Sequence, residues 1–294
     1  MNLKVIVCSI LCLVPAYADG DYEDHAEQPA LGASDTVGEG SPSHKWVNLS
    51  GNFQLVSDYV YRGQTQTYGG PAAQGGFVLS QKKDEGVYIG ISGSNVSGVG
   101  IAPNGAGLEL DLYGGYIYKK DNDLSLGIEL RNTRYPGARA SLPSKDKFDY
   151  LEIIPKVTYK IFSGFFAYSL SDRRGVNQNF ASTFPTPLKP NGNSKGSCYA
   201  EVNANMPVSF IHDNLKFKVL CGYWYTRNYT KLNYTVFGVG LKYKMPQNWG
   251  GVSIFANASA TTANKKYFRV TNTSTGQAKN TVGPKVWLGI CKKF

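Results

Sequence analysis

From Trp46 to its last residue the chain alternates apolar and polar side chains with a period of two, the pattern of strands with one greasy face. In the first run Val47, Leu49, Phe53, Leu55, Tyr59 and Tyr61 share one face, and Asn48, Ser50, Asn52, Gln54, Asp58 and Arg62 share the other. This predicts one long strand reaching Arg62. Similar runs follow, among them Val87, Ile89 and Ile91, then Leu124, Leu126, Ile128 and Leu130, then Phe237, Val239, Leu241 and Tyr243. The reading gives about twelve strands. The last, Lys285–Phe294, places Val286, Leu288, Ile290 and Phe294 on one face and ends the chain. A terminal strand with no tail to cover its edge must pair, and pairing with the first strand closes a barrel and removes both edges.

The connections alternate. Those after even-numbered strands are tight, as in Lys82–Gly86, Lys119–Asp123, Ile211–Asn214 and Met245–Gly250. Those after odd-numbered strands are mostly longer, as in Asn95–Gly107, Arg134–Lys147, Asp172–Ser197 and Thr261–Gly283. An even strand count with short turns at one end and long loops at the other is the habit of single-chain outer-membrane barrels; a soluble sandwich has no reason to keep this parity. The expected fold is therefore all-β, a transmembrane antiparallel up-and-down barrel of about twelve strands. Tyr61, Tyr88, Tyr116, Tyr118, Tyr159, Tyr225, Tyr243 and Trp249, near strand ends, are expected in its aromatic girdles.

Composition agrees: of 294 residues, Tyr (20), Phe (14) and Gly (33) are high, His (3) and Met (3) are low, and mean hydropathy is −0.27. Two segments precede the barrel. Residues 1–18 combine Lys4, the apolar run Val5–Val14 and Ala16-Tyr17-Ala18, which is the layout of a cleaved secretory signal. Residues 19–45 carry seven acids and few large apolar side chains, the composition of a flexible acidic segment. Residues 46–294 form the barrel. Cys8 and Cys12 leave with the signal, and an odd number of cysteines remains, a poor disulfide framework. Cys198, Cys221 and Cys291 read as three small apolar residues, with a Cys198–Cys221 bridge as the alternative if the turn between their strands is centred near Phe210.

The stretches Ser57-Asp58-Tyr59-Val60-Tyr61-Arg62-Gly63, Gln66-Thr67, Pro71–Phe77, Gly93-Ser94-Asn95-Val96, Glu109–Tyr113 and Tyr135-Pro136-Gly137 resemble the TorF-type porin family of proteobacteria. The resemblance is most specific over residues 51–137, and it implies an outer-membrane β-barrel. The final strand is similar to the terminal-Phe strand that the barrel assembly machinery reads, apart from Lys292 where an apolar residue is usual.

Candidate chemistry is sparse. His25 and His44 fall in the acidic segment and His212 in a tight turn, so no Ser–His hydrolase constellation can be drawn. The sequence carries no phosphate loop, metal-ligand spacing or cofactor motif, and no enzyme is expected. The formal charge of +10 is spread among loops and inward positions instead of forming a stripe, which argues against nucleic acid. Parity assigns Asp58, Arg62, Glu109, Asp111, Glu129, Arg131, Glu152, Lys156, Lys216, Lys218 and Lys242 to the lumen. The acids fall mainly in the first half of the chain and the bases in the second, so an acidic wall would partly oppose a basic one. Those charges would either line an open pore or pair with neighbours, Arg131 with Glu109 or Glu152 for instance, and fill it. Loop cations Arg134, Arg139, Lys145, Arg173 and Arg174 would either meet lipopolysaccharide phosphates or stay as solvated loop charge. The expected function is passive diffusion of small hydrophilic or charged solutes across a bacterial outer membrane. The rival reading is a closed interaction barrel that binds a surface partner through its long loops. The oligomeric state is open.

Overall fold

The computed structural model describes residues 47–81, 85–97, 107–138, 147–181, 188–189, 191–271 and 278–294. The expected signal and acidic segment, part of the Lys82–Gly86 turn, and Arg139 and Lys145 lie outside these residues.

The strands are β1 (Val47–Val56), β2 (Val60–Tyr61), β3 (Gln64–Thr65), β4 (Ala72–Gln81), β5 (Gly86–Asn95), β6 (Leu108–Lys119), β7 (Leu124–Arg134) and β8 (Tyr150–Tyr159). They continue with β9 (Phe162–Ser169), β10 (Cys198–Pro207), β11 (Leu215–Tyr225), β12 (Tyr234–Lys244), β13 (Ser253–Thr261), β14 (Arg269–Thr271), β15 (Ala278–Asn280) and β16 (Lys285–Lys293). Twelve of them close one antiparallel barrel in the order β1-β16-β13-β12-β11-β10-β9-β8-β7-β6-β5-β4, and β2-β3 and β14-β15 are separate hairpins. Among the described residues no helix is long and apolar enough to cross a membrane. The barrel does not need one, because closure satisfies every strand edge.

The seam lies where the last strand was expected to pair. β16 runs against β1 from Asn52↔Lys293 to Val56↔Gly289. Beyond it the Phe294 amide donates to the Gly51 carbonyl at 2.9 Å and the Gly51 amide to the Phe294 carbonyl at 2.7 Å. The Phe294 ring turns outward and meets Phe77 edge-on, 6.0 Å between centroids.

Parity decides which face is greasy. Leu49, Phe53, Leu55, Phe77, Ile89, Leu112, Leu130, Phe237 and Leu288 are all exposed on the outer wall, whereas Val78, Glu129, Glu152, Tyr199 and Trp224 are buried inside. This inversion of a soluble protein's pattern is what hydrocarbon as external solvent demands. Inside, glycine on one strand makes room for an aromatic ring from the next. A Cβ on Gly90 would sit 2.5 Å from the Tyr113 ring, and one on Gly289 would sit 2.1 Å from the Phe255 ring. Gly90 faces Tyr113 and Gly289 faces Phe255 directly in register.

Three expectations need correction. β1 stops at Val56, and Tyr59 and Tyr61 are buried instead of facing outward. The alternation continues past Val56 because residues 59–67 fold inward as a second hairpin, whose greasy side meets other protein and not lipid. Tyr88 likewise leaves the expected girdle: it is buried in the lumen. Tyr116, Tyr118, Tyr159 and Tyr225 are exposed on the outer wall. Cys198 and Cys221 form no disulfide. The register pairs Cys198 with Tyr225 and Val202 with Cys221, so the two thiols sit four residues apart along neighbouring strands, about 13 Å at the usual rise. Finally, Arg173 and Arg174 do not reach outward from their loop but are buried.

Candidate functional site in the barrel lumen

The hairpin β2-β3 is the central feature of the lumen. Arg62 and Gly63 form its two-residue turn with φ of 47° and 79°, the left-handed values that such a tight turn requires. Asp58 staples its base: one carboxylate oxygen accepts from the Thr65 hydroxyl, from the Thr67 hydroxyl at 3.0 Å and from the Gly69 amide at 3.2 Å. Asp58 therefore shapes the hairpin and does not line a barrel strand.

The hairpin crosses the lumen. It leaves β1, and its tip reaches the far wall. Arg62 donates two hydrogen bonds to Glu152 on β8, Nη1 to Oε1 at 3.1 Å and Nη2 to Oε2 at 3.2 Å. Its guanidinium also lies 5.7 Å from the Phe165 ring on β9, 4.7 Å from Tyr199 on β10 and 5.0 Å from Trp224 on β11. Gln64 donates to the Tyr234 hydroxyl on β12 at 2.6 Å. A Cβ on Gly63 would lie 2.5 Å from Thr261 Cγ2 on β13. Six consecutive staves thus hold the tip, and the hairpin is a stopper across the long-loop half of the barrel.

The other predicted residues sort into three groups. Glu109 on β6 accepts from the hydroxyls of Tyr59 at 2.6 Å and Tyr135 at 2.5 Å, which ties that wall to the hairpin. Glu129 on β7 pairs with Arg131 at 2.8 Å and with Lys156 of β8 at 2.8 Å, and it accepts from the Tyr88 hydroxyl at 2.8 Å. Arg131 also lies 3.9 Å from Asp111, which accepts from the Thr133 hydroxyl at 2.5 Å. Arg131 thus pairs with Glu129 and Asp111, neighbours on the same patch of wall, and Glu152 stands opposite it in the β7-β8 register. Lys216, Lys218 and Lys242 lie near the short-turn end on β11 and β12, half-buried on the inward parity, with Lys216 directly opposite Lys242. Sequence parity could not show that most of these acids are already matched.

Two residues that parity did not select complete the stopper. The loop between β9 and β10 turns at Arg173–Gly175, and Arg174 takes φ 47° and ψ 42°. This turn is pinned where Asp172 accepts from the Ser194 amide at 2.8 Å and the Arg173 amide donates to the Ser194 hydroxyl at 2.9 Å. Arg173 Nη1 donates to Thr226 Oγ1 at 2.8 Å, and its guanidinium stacks 3.2 Å from the centre of the Trp224 ring. Arg174 lies 5.0 Å from the Tyr61 ring and reaches Gln64 Oε1 at 3.4 Å. A signal for them existed. At the long-loop ends of β8, β10, β11 and β12 the polar parity carries Tyr150, Tyr199, Trp224 and Tyr234, aromatic faces of the kind that attract guanidinium groups.

The features described define a closed twelve-strand antiparallel β-barrel with a lipid-type exterior and a charged, hairpin-stoppered lumen. The chain belongs to a family described as bacterial protein of unknown function (Gcw_chp), which matches residues 40–294. No curated protein matches it significantly. Solved structures that resemble it do so at low identity. The KdgM porin is 8% identical with a TM-score of 0.43 over 83% of this chain and 99% of the porin. OprD of Pseudomonas aeruginosa is 13% identical with a TM-score of 0.37 over 85% of this chain and 67% of that one. A membrane protein studied for in-meso crystallisation is 10% identical with a TM-score of 0.48 over 83% of both chains.

Proposed function

We propose that the protein is a porin-like barrel of a bacterial outer membrane that passes small hydrophilic solutes through a lumen narrowed by its own first hairpin. The observation that carries this reading is the inverted wall: apolar outside, and inside it a ladder of Glu109, Asp111, Glu129, Arg131, Glu152 and Lys156. A barrel that served only as an anchor has no need of so much buried charge, which is costly to desolvate unless matched. The parity of short turns and long loops favours a periplasmic location for the turn end, where Phe294 would be read by the assembly machinery, and an external one for the loops. The barrel's direct surroundings are outer-membrane lipid and lipopolysaccharide. On this reading the chemistry is transport and not catalysis.

The stopper favours a second reading. Six staves hold the hairpin tip, and such packing suits a closed barrel that presents its loops to a partner. Planar-bilayer conductance separates the two. Discrete steps from the wild type, growing when residues 59–67 are replaced by a short Gly/Ser link, are expected of the channel. Silence from both proteins, each shown to be folded and inserted, would leave the closed barrel.

A further inference from the structure

Arg173 is 2% exposed and meets no carboxylate among the described residues. One of its outer nitrogens, Nη1, is used by Thr226. Its Nε and Nη2 make no hydrogen bond, and the Tyr234 hydroxyl lies beside the guanidinium. These two N–H groups lie on one edge of the planar guanidinium and point the same way, so together they form the side-on fork that accepts both oxygens of a carboxylate. Arg174 beside it leaves Nη2 without a partner, and Trp224, on which Arg173 stacks, leaves Nε1 without one. Four donors are thus buried in one place without acceptors, where native interiors leave few.

The acids nearby do not fill the gap. Glu152 is held by Arg62, Glu109 by two tyrosine hydroxyls, and Glu201 by the Tyr199 hydroxyl. The backbone adds a second sign. Arg174, like Arg62, is a non-glycine residue in the left-handed region. Strain of this kind persists where the surroundings hold a residue in place, and it gathers at ligand clamps.

We propose that Arg173, with Arg174 and the Trp224 indole, forms a binding site for a small organic carboxylate inside the stopper. The ligand is a planar monocarboxylate: its two oxygens take the Nε–Nη2 fork of Arg173, and its apolar part lies among the surrounding aromatic rings. This rests on the solute-pathway reading for its biological use, but binding can be read without transport.

The test uses the full protein purified in detergent, with acetate as probe and acetamide as its uncharged counterpart, at constant ionic strength set by sodium chloride. Acetate should change tryptophan fluorescence saturably and raise the thermal midpoint, acetamide should do neither, and Arg173→Lys, which keeps charge but loses the fork, should weaken acetate binding tenfold or more. Equal responses to acetate and acetamide, no saturable response, or unweakened binding in an Arg173→Lys barrel shown to be folded by heat-modifiable gel mobility would overturn the site. The wild-type comparison decides even if that variant does not fold. A protein that binds acetate but never conducts keeps the site and removes the channel; one that conducts and ignores acetate does the reverse.

Discussion

Arg62 and Glu152, ninety positions apart in the chain, meet in two parallel hydrogen bonds of 3.1 and 3.2 Å between the stopper tip and the far wall. Glu152 is 0% exposed, so neither partner can fall back on water if the other is lost. Removing one side of such a pair typically costs about 3–5 kcal/mol. Arg62→Ala and Glu152→Ala should each destabilise the folded barrel by that order, and the double variant by clearly less than their sum. Urea unfolding of the four proteins measures this coupling, and strict additivity would show that the latch is not an energetic unit.

The turn at Gly63 provides a test that leaves charge alone. Gly63 has φ 79°, and a Cβ there would lie 2.5 Å from Thr261 Cγ2. Gly63→Ala therefore combines left-handed strain with a clash, about 1–3 kcal/mol against the docked hairpin. If the protein is a channel, its conductance should rise in this variant while the strand content seen by circular dichroism stays constant. Unchanged step size would detach the hairpin from the pathway.

Ion preference should be set away from the stopper. Lys216 and Lys242 face each other in register, with Lys218 on the next inward position of β11. Charge rings in a pore select by sign. Changing all three lysines to glutamate should move the reversal potential under a salt gradient toward cations. The same potential in both proteins would place selectivity elsewhere.

The turn between β6 and β7 carries a pH signature. Asp121 accepts from the Leu124 amide at 2.8 Å and the Asp123 amide at 2.9 Å, and these two bonds hold its carboxyl below the ordinary carboxylate value. A lowered folded-state value means that the stabilisation is present above the unfolded value and is lost as pH falls through the folded one. Asp121→Ala should thus lower the thermal midpoint near pH 7, and the gap from the wild type should close under strong acid. A gap independent of pH would assign the effect to turn geometry alone.

The barrel was legible because lipid on one side and polar filling on the other give every stave the same two-residue alternation, as in Leu124–Arg134. That alternation cannot tell lipid from protein as the apolar neighbour, so Tyr59 and Tyr61 look like Leu55 although they belong to the stopper. On the staves, parity sets charged positions such as Glu129 and Lys156 on the face opposite the apolar one, but it does not give their pairings. Register fixes which charges become neighbours, and a one-residue slip would have given Arg131 other partners. Arg173 and Arg174 lie in a loop whose Asn, Gly, Ser and Lys content reads as solvated. Only the placing of that loop over Trp224 brings them inside.

The hairpin's root is also the barrel's joint. β1 pairs with β16 over five positions and with β4 over ten, so the closing seam is the shorter of its two borders. Where β1 ends, the Ser57 amide donates to the Leu288 carbonyl at 2.9 Å, and the Leu288 amide donates to Ser57 Oγ at 3.0 Å. Any force that draws the hairpin out is therefore applied to the last rivets of that seam. Stopper and closure share one hinge, and mechanical load on one is load on the other.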